Sequence, residues 1–135
     1  MRRFVESLSR NAKGLRITLL AYWGLMFLGT HLPKVPVPLE KVSDKTLHFL
    51  AYFGLMLLLT LDSVSRQRLT FLRLCGLLML CAVYGIVDEI LQIPAGRSAD
   101  VRDWLADMRG VTLATSIAAV GLFLSRRGES YSTEK

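Results

Sequence analysis

More than half of the eleven acidic residues of this chain lie in or beside apolar segments, in the stretches 44–49 and 88–103 and at Asp107. An ionisable side chain inside a membrane-spanning helix costs free energy. Such residues therefore usually face the protein interior and mark a functional site. The question these residues raise is whether the cluster performs chemistry, binds a ligand or only holds helices together.

Asp44 and His48 are four positions apart, so on a helix they share one face and can form a hydrogen bond. A carboxylate that fixes the tautomer of an imidazole prepares a general base, and it equally orients a metal-binding histidine. The alternative is that Asp44 caps the helix and His48 lies at a helix interface. The pair by itself favours this alternative.

Asp88 and Glu89 are adjacent, so their side chains diverge by about 100° on a helix, while Gln92 shares a face with Asp88. They follow the almost wholly apolar run 77–87, a position that suits acid–base chemistry. The alternative is a lock between helices made with Arg97 or Lys45. Desolvation leaves such buried pairs weakly stabilising, so the functional interpretation is favoured.

Arg97 follows Gly96 in a predicted turn, and a guanidinium there suits a phosphate or carboxylate group. Pairing with Asp100 or Asp103 is an equally good interpretation. Two tyrosine hydroxyls can reach the same site, because each tyrosine shares a helix face with a motif residue: Tyr52 is four residues after His48, and Tyr84 is four residues before Asp88.

The composition indicates a membrane protein. Of the 135 residues 52% are hydrophobic and 21% charged, and mean hydropathy is +0.39. The net charge of +6 comes from basic residues that flank apolar runs instead of forming a patch with aromatic residues. Anionic membrane lipid is therefore the expected partner, and nucleic acid is not.

The distribution of apolar residues predicts an all-α bundle of four transmembrane helices, with a short interfacial helix before the fourth. A span takes about 20 residues, and the apolar segments are 15–32, 47–61, 74–93 and 110–124. Prolines at 33, 36 and 38 predict an extended first loop, and Pro94 and Gly96 an end to the third helix. The predicted domain is 1–127, followed by a disordered tail at 128–135.

Most lysines and arginines fall on the side of the two termini. The positive-inside rule then predicts a multi-pass protein of the cytoplasmic (inner) membrane with both termini in the cytoplasm. The polar motifs all fall on the outer face.

These motifs together resemble the VanZ-like family. The resemblance rests on Asp44-Lys45-x-x-His48-Phe49-x-x-Tyr52, on Tyr84-x-x-x-Asp88-Glu89-x-x-Gln92, and on Arg97 and Asp103 ahead of Gly110. It implies a small multi-helix membrane protein, and some members are linked to reduced susceptibility to the glycopeptide teicoplanin. No settled reaction comes with the family. Asp107 replaces an expected asparagine and Ile93 an expected aromatic residue.

The leading hypothesis is an outer-face site that binds or modifies a phosphorylated or glycosylated envelope lipid or cell-wall precursor. His48 and Glu89 would form an acid–base pair, with Asp44 orienting the histidine and Asp88 beside them. Substrate-binding groups would come from the remaining motif residues, with Arg97 as the anion clamp: Arg97, Gln92, Asp103, Tyr52 and Tyr84.

Two alternatives stay open. One is a non-enzymatic module, an ion-linked carrier or an accessory subunit, which with four short helices would need a homo-oligomer. The apolar cytoplasmic halves of the first, third and fourth segments argue against a full ion pathway. The other is a metal site with His48, Asp44, Asp88 and Glu89 as ligands. Only one well-placed histidine is available, so neither a metal nor another cofactor is expected.

Overall fold

The structure, a computed structural model, describes residues 2–31, 42–67 and 69–132, and side chains within this part from residue 5 to residue 124. All regular elements of the described residues are α-helices, in the order α1 (Arg2–Arg10), α2 (Ala12–His31), α3 (Asp44–Ser65), α4 (Phe71–Gln92) and α5 (Val101–Ser132). The predicted proline-containing loop at 33–38 lies outside the described residues.

Within the described residues, three helical segments are long and apolar enough to cross a membrane: Asp44–Ser65, Phe71–Gln92 and Val101–Leu124. The predicted first span corresponds to α2, which is 20 residues long but is not among these three. Arg16 near its start and Thr30 and His31 at its end lower its apolar character. The all-α membrane class is therefore supported, with three of the four predicted spans.

The prediction of a separate short helix before the last span is wrong, since α5 is continuous from Val101. Asp100 caps its start by accepting a hydrogen bond from the backbone N–H of Arg102 at 2.8 Å. Asp103 and Asp107 lie in the stretch that leads into the predicted apolar segment, and both are buried against other helices. They are therefore part of the packed face of the span.

The two ends of the chain also differ from expectation. The helix α5 runs to Ser132, so residues 128–132 of the tail predicted to be disordered are helical, and 133–135 lie outside the described residues. No proline interrupts the helix there, and a single Gly128 costs only about 1 kcal/mol. The basic helix α1 was not predicted.

The central helix is α3, which packs against all four other helices and most extensively against α5. Gly110 of α5 lies directly on the backbone of α3: a Cβ atom at this position would clash with the carbonyl oxygen of Phe49 and would stand 2.9 Å from the backbone N of Phe53. Small residues permit such close approach between membrane helices. The α3–α5 interface thus fixes how side chains from these two helices meet.

The outer surfaces of the helices are apolar. A monomeric soluble protein rarely exposes so much contiguous apolar surface, whereas hydrocarbon solvates it. Exposed large residues include Ile17, Leu20, Leu25 and Leu28 on α2, Leu72, Met79, Val83, Ile86 and Ile90 on α4, and Leu105, Leu113, Ile117 and Val120 on α5. This surface agrees with a multi-pass membrane protein.

Polar side chains concentrate at the two ends of the bundle. One end, called the site end below, combines the C-termini of α2 and α4 with the N-termini of α3 and α5. At the opposite end Asp62 of α3 binds Arg16 of α2 at 3.3 Å and Arg66 at 3.1 Å. Between the two ends the α3 core is apolar.

Candidate functional site

Arg97 joins three segments at the rim of the site end. Its Nη2 donates to both carboxylate oxygens of Asp44, at 3.1 and 2.9 Å, and its Nη1 donates to the backbone oxygen of Thr30 at 3.2 Å. The turn that aims Arg97 requires Gly96, whose φ of 81° lies in the left-handed region that side chains disfavour. Arg97 therefore links α2, α3 and the turn after α4.

A second pair of contacts on the rim ties α3 to α5. The Nζ of Lys45 lies 2.9 Å from Oδ1 of Asp103 and 3.5 Å from Oδ2 of Asp100. The backbone N–H of Arg102, and then Lys45, lower the pKa of Asp100 below its usual value. Arg97 therefore does not pair with Asp100 or Asp103, the partners considered from the sequence; both of these aspartates bind Lys45.

Below the rim lies a buried cluster with one side chain from each of three helices: His48 from α3, Glu89 from α4 and Asp107 from α5. Nδ1 of His48 is 3.0 Å from Oδ1 of Asp107 and 3.9 Å from Oε1 of Glu89. All three residues are buried. We call this set the three-helix cluster.

The expected hydrogen bond between Asp44 and His48 is not formed. Ligand-type atoms of the two residues lie within 4.8 Å of each other, but the Asp44 carboxylate binds Arg97. Nor does Asp44 serve as the cap of α3, since Ser43 holds that position without a side-chain hydrogen bond. The carboxylate that contacts the imidazole is Asp107, which the α3–α5 interface brings to it.

Asp88 is fully buried and surrounded by neutral donors. The hydroxyls of Thr30 and Tyr84 lie 3.2 and 3.4 Å from its Oδ1, and Nε2 of Gln92 donates to its Oδ2 at 3.3 Å. Nδ1 of His31 is 3.9 Å from Oδ1. Neither Arg97 nor Lys45 contacts this carboxyl, so the charged helix lock considered from the sequence is not what surrounds it.

Several buried polar atoms of the site lack a hydrogen-bond partner within the described part of the chain. Oε2 of Glu89 accepts from the backbone N–H of Asp100 at 2.8 Å, but its Oε1 has no partner. The same holds for Oδ2 of Asp107, the hydroxyl of Tyr52 and Nε2 of His31. Leaving such an atom unpaired costs about 1–3 kcal/mol. The site end is thus incomplete as a purely structural network.

A groove opens beside the cluster, between α4 and the start of α5, with a volume of about 230 Å³. Its walls are almost wholly apolar, and the lining residues are Ile86, Glu89, Ile90, Ala99, Asp100, Val101 and Trp104. The indole N–H of Trp104 donates to the backbone oxygen of Ala82 at 3.1 Å, which holds the ring in place.

The structure brings all nine predicted site residues to one end of the bundle, although not in the predicted pairs. Three of them lie on the rim, two belong to the three-helix cluster and two lie beside it: Asp44, Arg97 and Asp103, then His48 and Glu89, then Asp88 and Gln92. The other two, Tyr52 and Tyr84, pack side by side with ring centroids 5.9 Å apart. Sequence reasoning missed three participants: Thr30, His31 and Asp107. Asp107 carried a signal, because it is four residues after Asp103 and so shares its helix face.

The charges of the site end are unequal. Two of its permanent cations, Arg97 and Lys45, are held by carboxylates of the rim. Asp88, Glu89 and Asp107 contact no lysine or arginine among the described residues. The interior of the site is therefore rich in carboxyl groups, and the basic groups near these three in the described part of the chain are His31 and His48.

Comparison with known proteins identifies the family of this chain. The VanZ/LLP1 family model matches residues 6–124. No curated protein and no solved structure matches the chain. Because the family match covers most of the sequence, including every residue of the site described above, the chain belongs to the VanZ/LLP1 family.

Proposed function

We propose that this protein binds the polar head of an envelope lipid, or of a lipid-linked cell-wall precursor, at the outer leaflet of the cytoplasmic membrane. Cells that contain the protein would then differ in their susceptibility to envelope-directed drugs such as teicoplanin.

The groove between α4 and α5 carries this proposal. It offers an almost wholly apolar wall that includes Ile86, Ile90 and Val101, and Glu89 and Asp100 are the charged residues of its lining. An apolar groove with acidic residues beside it suits an amphiphile whose tail stays in the bilayer. Glu89 also belongs to the three-helix cluster, so a head group in the groove would meet the reactive groups.

The depth of the site fits a head group. At a rise of about 1.5 Å per residue, His48 lies only about 6 Å below the start of α3 at Asp44. The rim residues are accessible, with 47% of the Lys45 side chain and 41% of the Asp44 side chain exposed. A ligand therefore needs to penetrate only about one helical turn.

In this proposal α2 is a fourth crossing and both termini are cytoplasmic. The 20 residues of α2 span about 30 Å, and its lipid-facing side carries Ile17, Leu20, Leu25 and Leu28. Arginines 10, 16, 66 and 73 lie at the opposite end from the site. This distribution supports an outer-face position for the site.

In this proposal the rim binds the anionic group of the ligand, and the three-helix cluster exchanges a proton with it. A phosphate or carboxylate of the head group competes with Asp44 for the guanidinium of Arg97, since the Asp44 carboxylate is partly exposed and can be displaced. Below it, Oε1 of Glu89 lies 3.9 Å from the His48 ring and has no hydrogen-bond partner among the described residues, so in this proposal it exchanges the proton of a bound hydroxyl beside the imidazole. Asp107, rather than Asp44, orients the imidazole.

The carrier alternative is less well supported. Polar groups at the two ends of α3 are separated by the buried apolar residues Leu55, Met56 and Leu59. An ion that passed the site end would meet this layer before it reached Asp62. The described part of the chain therefore offers one site open to one side.

Drug susceptibility of cells tests the proposal. We expect His48→Asn and Glu89→Gln, each produced at the wild-type level, to abolish the difference in teicoplanin susceptibility between cells with and without the protein. The matched control is Asp62→Asn, which alters a buried acid of the same bundle at the opposite end. Unchanged susceptibility with His48→Asn and Glu89→Gln, or equal loss with Asp62→Asn, contradicts the proposal.

A further inference from the structure

We propose that His48, Glu89 and Asp107 bind one divalent transition-metal cation. The inference does not depend on the identity of the lipid, but it concerns the same three-helix cluster: with the ion bound, His48 and Glu89 act as metal ligands instead of as an acid–base pair.

The geometry of the three-helix cluster suits a single ion. The ligand-type atoms of its three residues all lie within 4.8 Å of one another. Two ligand atoms about 2.1 Å from one ion are about 3.0–3.4 Å apart in octahedral or tetrahedral coordination. The distances from Nδ1 of His48, 3.0 Å to Asp107 and 3.9 Å to Glu89, bracket that interval. The remaining pair, Glu89 and Asp107, lies within 4.8 Å, so rotation of the side chains brings all three pairs into this interval.

The unpartnered atoms point to a missing ligand. Oε1 of Glu89, which faces His48, is buried and has no hydrogen-bond partner, and the residue is only 6% exposed. Oδ2 of Asp107 is likewise unpaired, in a residue that is 0% exposed. A cation coordinated by these carboxylates supplies the interaction that the protein itself does not provide.

Charge leads to the same conclusion. In the deprotonated form that metal binding requires, two carboxylates and one imidazole carry a charge of about −2, and among the described residues no lysine or arginine contacts them. The other acidic group around His48, made by Asp44 and Asp103, is already balanced by Arg97 and Lys45. A divalent ion therefore balances the charge of the three-helix cluster, whereas the group of Asp44 and Asp103 needs no further cation.

The donor set defines the class of metal. One imidazole nitrogen and two carboxylate oxygens suit zinc or manganese better than the all-oxygen shells of calcium and magnesium. Three protein ligands leave coordination positions free for water or a head-group oxygen. Oε2 of Glu89 is fixed by the backbone N–H of Asp100, as expected for an oriented metal ligand.

Metal content of the purified full-length protein tests the inference. The chain is prepared with an affinity tag that contains no histidine and with Cys75→Ser, because the exposed thiol of Cys75 is a competing ligand type for zinc. After removal of metal with a chelator, the protein is loaded with Zn²⁺ or Mn²⁺ and desalted. We expect about one ion per chain by elemental analysis.

Substitutions then locate the ion. Glu89→Gln and Asp107→Asn preserve side-chain size and should weaken binding by about tenfold or more, while Asp62→Asn should bind as the parent does. Parent protein without stoichiometric zinc or manganese overturns the inference, as do folded Glu89→Gln and Asp107→Asn variants with undiminished affinity. Thermal unfolding of the parent protein with and without Zn²⁺ decides the matter if a variant does not fold, because specific binding raises its Tm.

Discussion

Asp107 of α5, and not Asp44 of its own helix, is the carboxylate that contacts His48, with 3.0 Å between Oδ1 and Nδ1. The contact crosses the interface at which Gly110 lies on the backbone of Phe49. Asp44 is drawn away by Arg97. The environment of the histidine is therefore set by packing between α3 and α5, and its disruption should have consequences both for stability and for function.

Removal of Asp107 should cost more stability than removal of Asp44. In Asp107→Ala the imidazole of His48, only 3% exposed, loses its partner, and we expect a loss of about 1–3 kcal/mol in the free energy of unfolding. Asp44→Ala breaks a partly exposed ion pair, for which about 1 kcal/mol or less is expected. Unfolding in detergent with a chelator present compares the two variants, and a larger loss for Asp44→Ala would refute the contact described above.

The close approach of α3 and α5 predicts a position-specific effect of alanine. Gly110→Ala places a methyl group against the backbone of Phe49 and Phe53, so the helices must separate, at a cost of about 1–3 kcal/mol. Gly121→Ala in the same helix meets no atom within 4 Å and should be neutral or stabilising. Thermal unfolding of the two variants measures the difference, and equal behaviour would mean that the helices do not meet at Gly110.

The sequence was sufficient to predict the helical membrane class and the gathering of the motifs at one end. Helical spacing placed Asp44, His48 and Tyr52 on one face, and Pro94 and Gly96 ended α4 as expected. Spacing within one helix cannot, however, reveal which residue of another helix will be the partner. The pairs of His48 with Asp107 and of Arg97 with Asp44 depend on helix packing.

Other errors have similar causes. Thr30 and His31 lie at the end of the predicted first span and were given no role, yet the packing of α2 brings both to Asp88. A separate short helix was expected before the last span, but Ala106 and Asp107 are buried in one continuous helix. In both cases the position of a side chain depends on packing between helices, which spacing along one helix does not specify.

Cysteine labelling in cells tests the orientation. In a background with Cys75→Ser and Cys81→Ser, we expect Lys45→Cys and Asp100→Cys to react with a membrane-impermeant maleimide added outside the cell. Both side chains are partly exposed at the site end. Arg66→Cys, at the opposite end, should react only after the membrane is permeabilised. External labelling of Arg66→Cys, or opposite behaviour of Lys45→Cys and Asp100→Cys, would contradict the outer-face position.

Filling the groove should impair function without loss of stability. Ile90→Trp adds bulk to an exposed side chain that lines the groove, whereas Leu91→Trp adds the same ring to an exposed neighbour outside it. We expect only Ile90→Trp to reduce the effect on drug susceptibility, because it occupies the space proposed for the lipid. Both variants should unfold within about 0.5 kcal/mol of the wild type, as surface substitutions usually do. Equal activity of the two variants would exclude the groove as the binding surface.

Lipid retention tests the central claim most directly. The protein is extracted into detergent, exchanged to remove loosely held lipid, and examined intact by native mass spectrometry. We predict that the wild type and Leu91→Trp retain one lipid or lipid-linked precursor, and that retention falls by about tenfold or more in Ile90→Trp and in Glu89→Gln, in line with the loss of one or two anchoring contacts. Equal retention by all four proteins, or no retained lipid in the wild type, would contradict the proposed site.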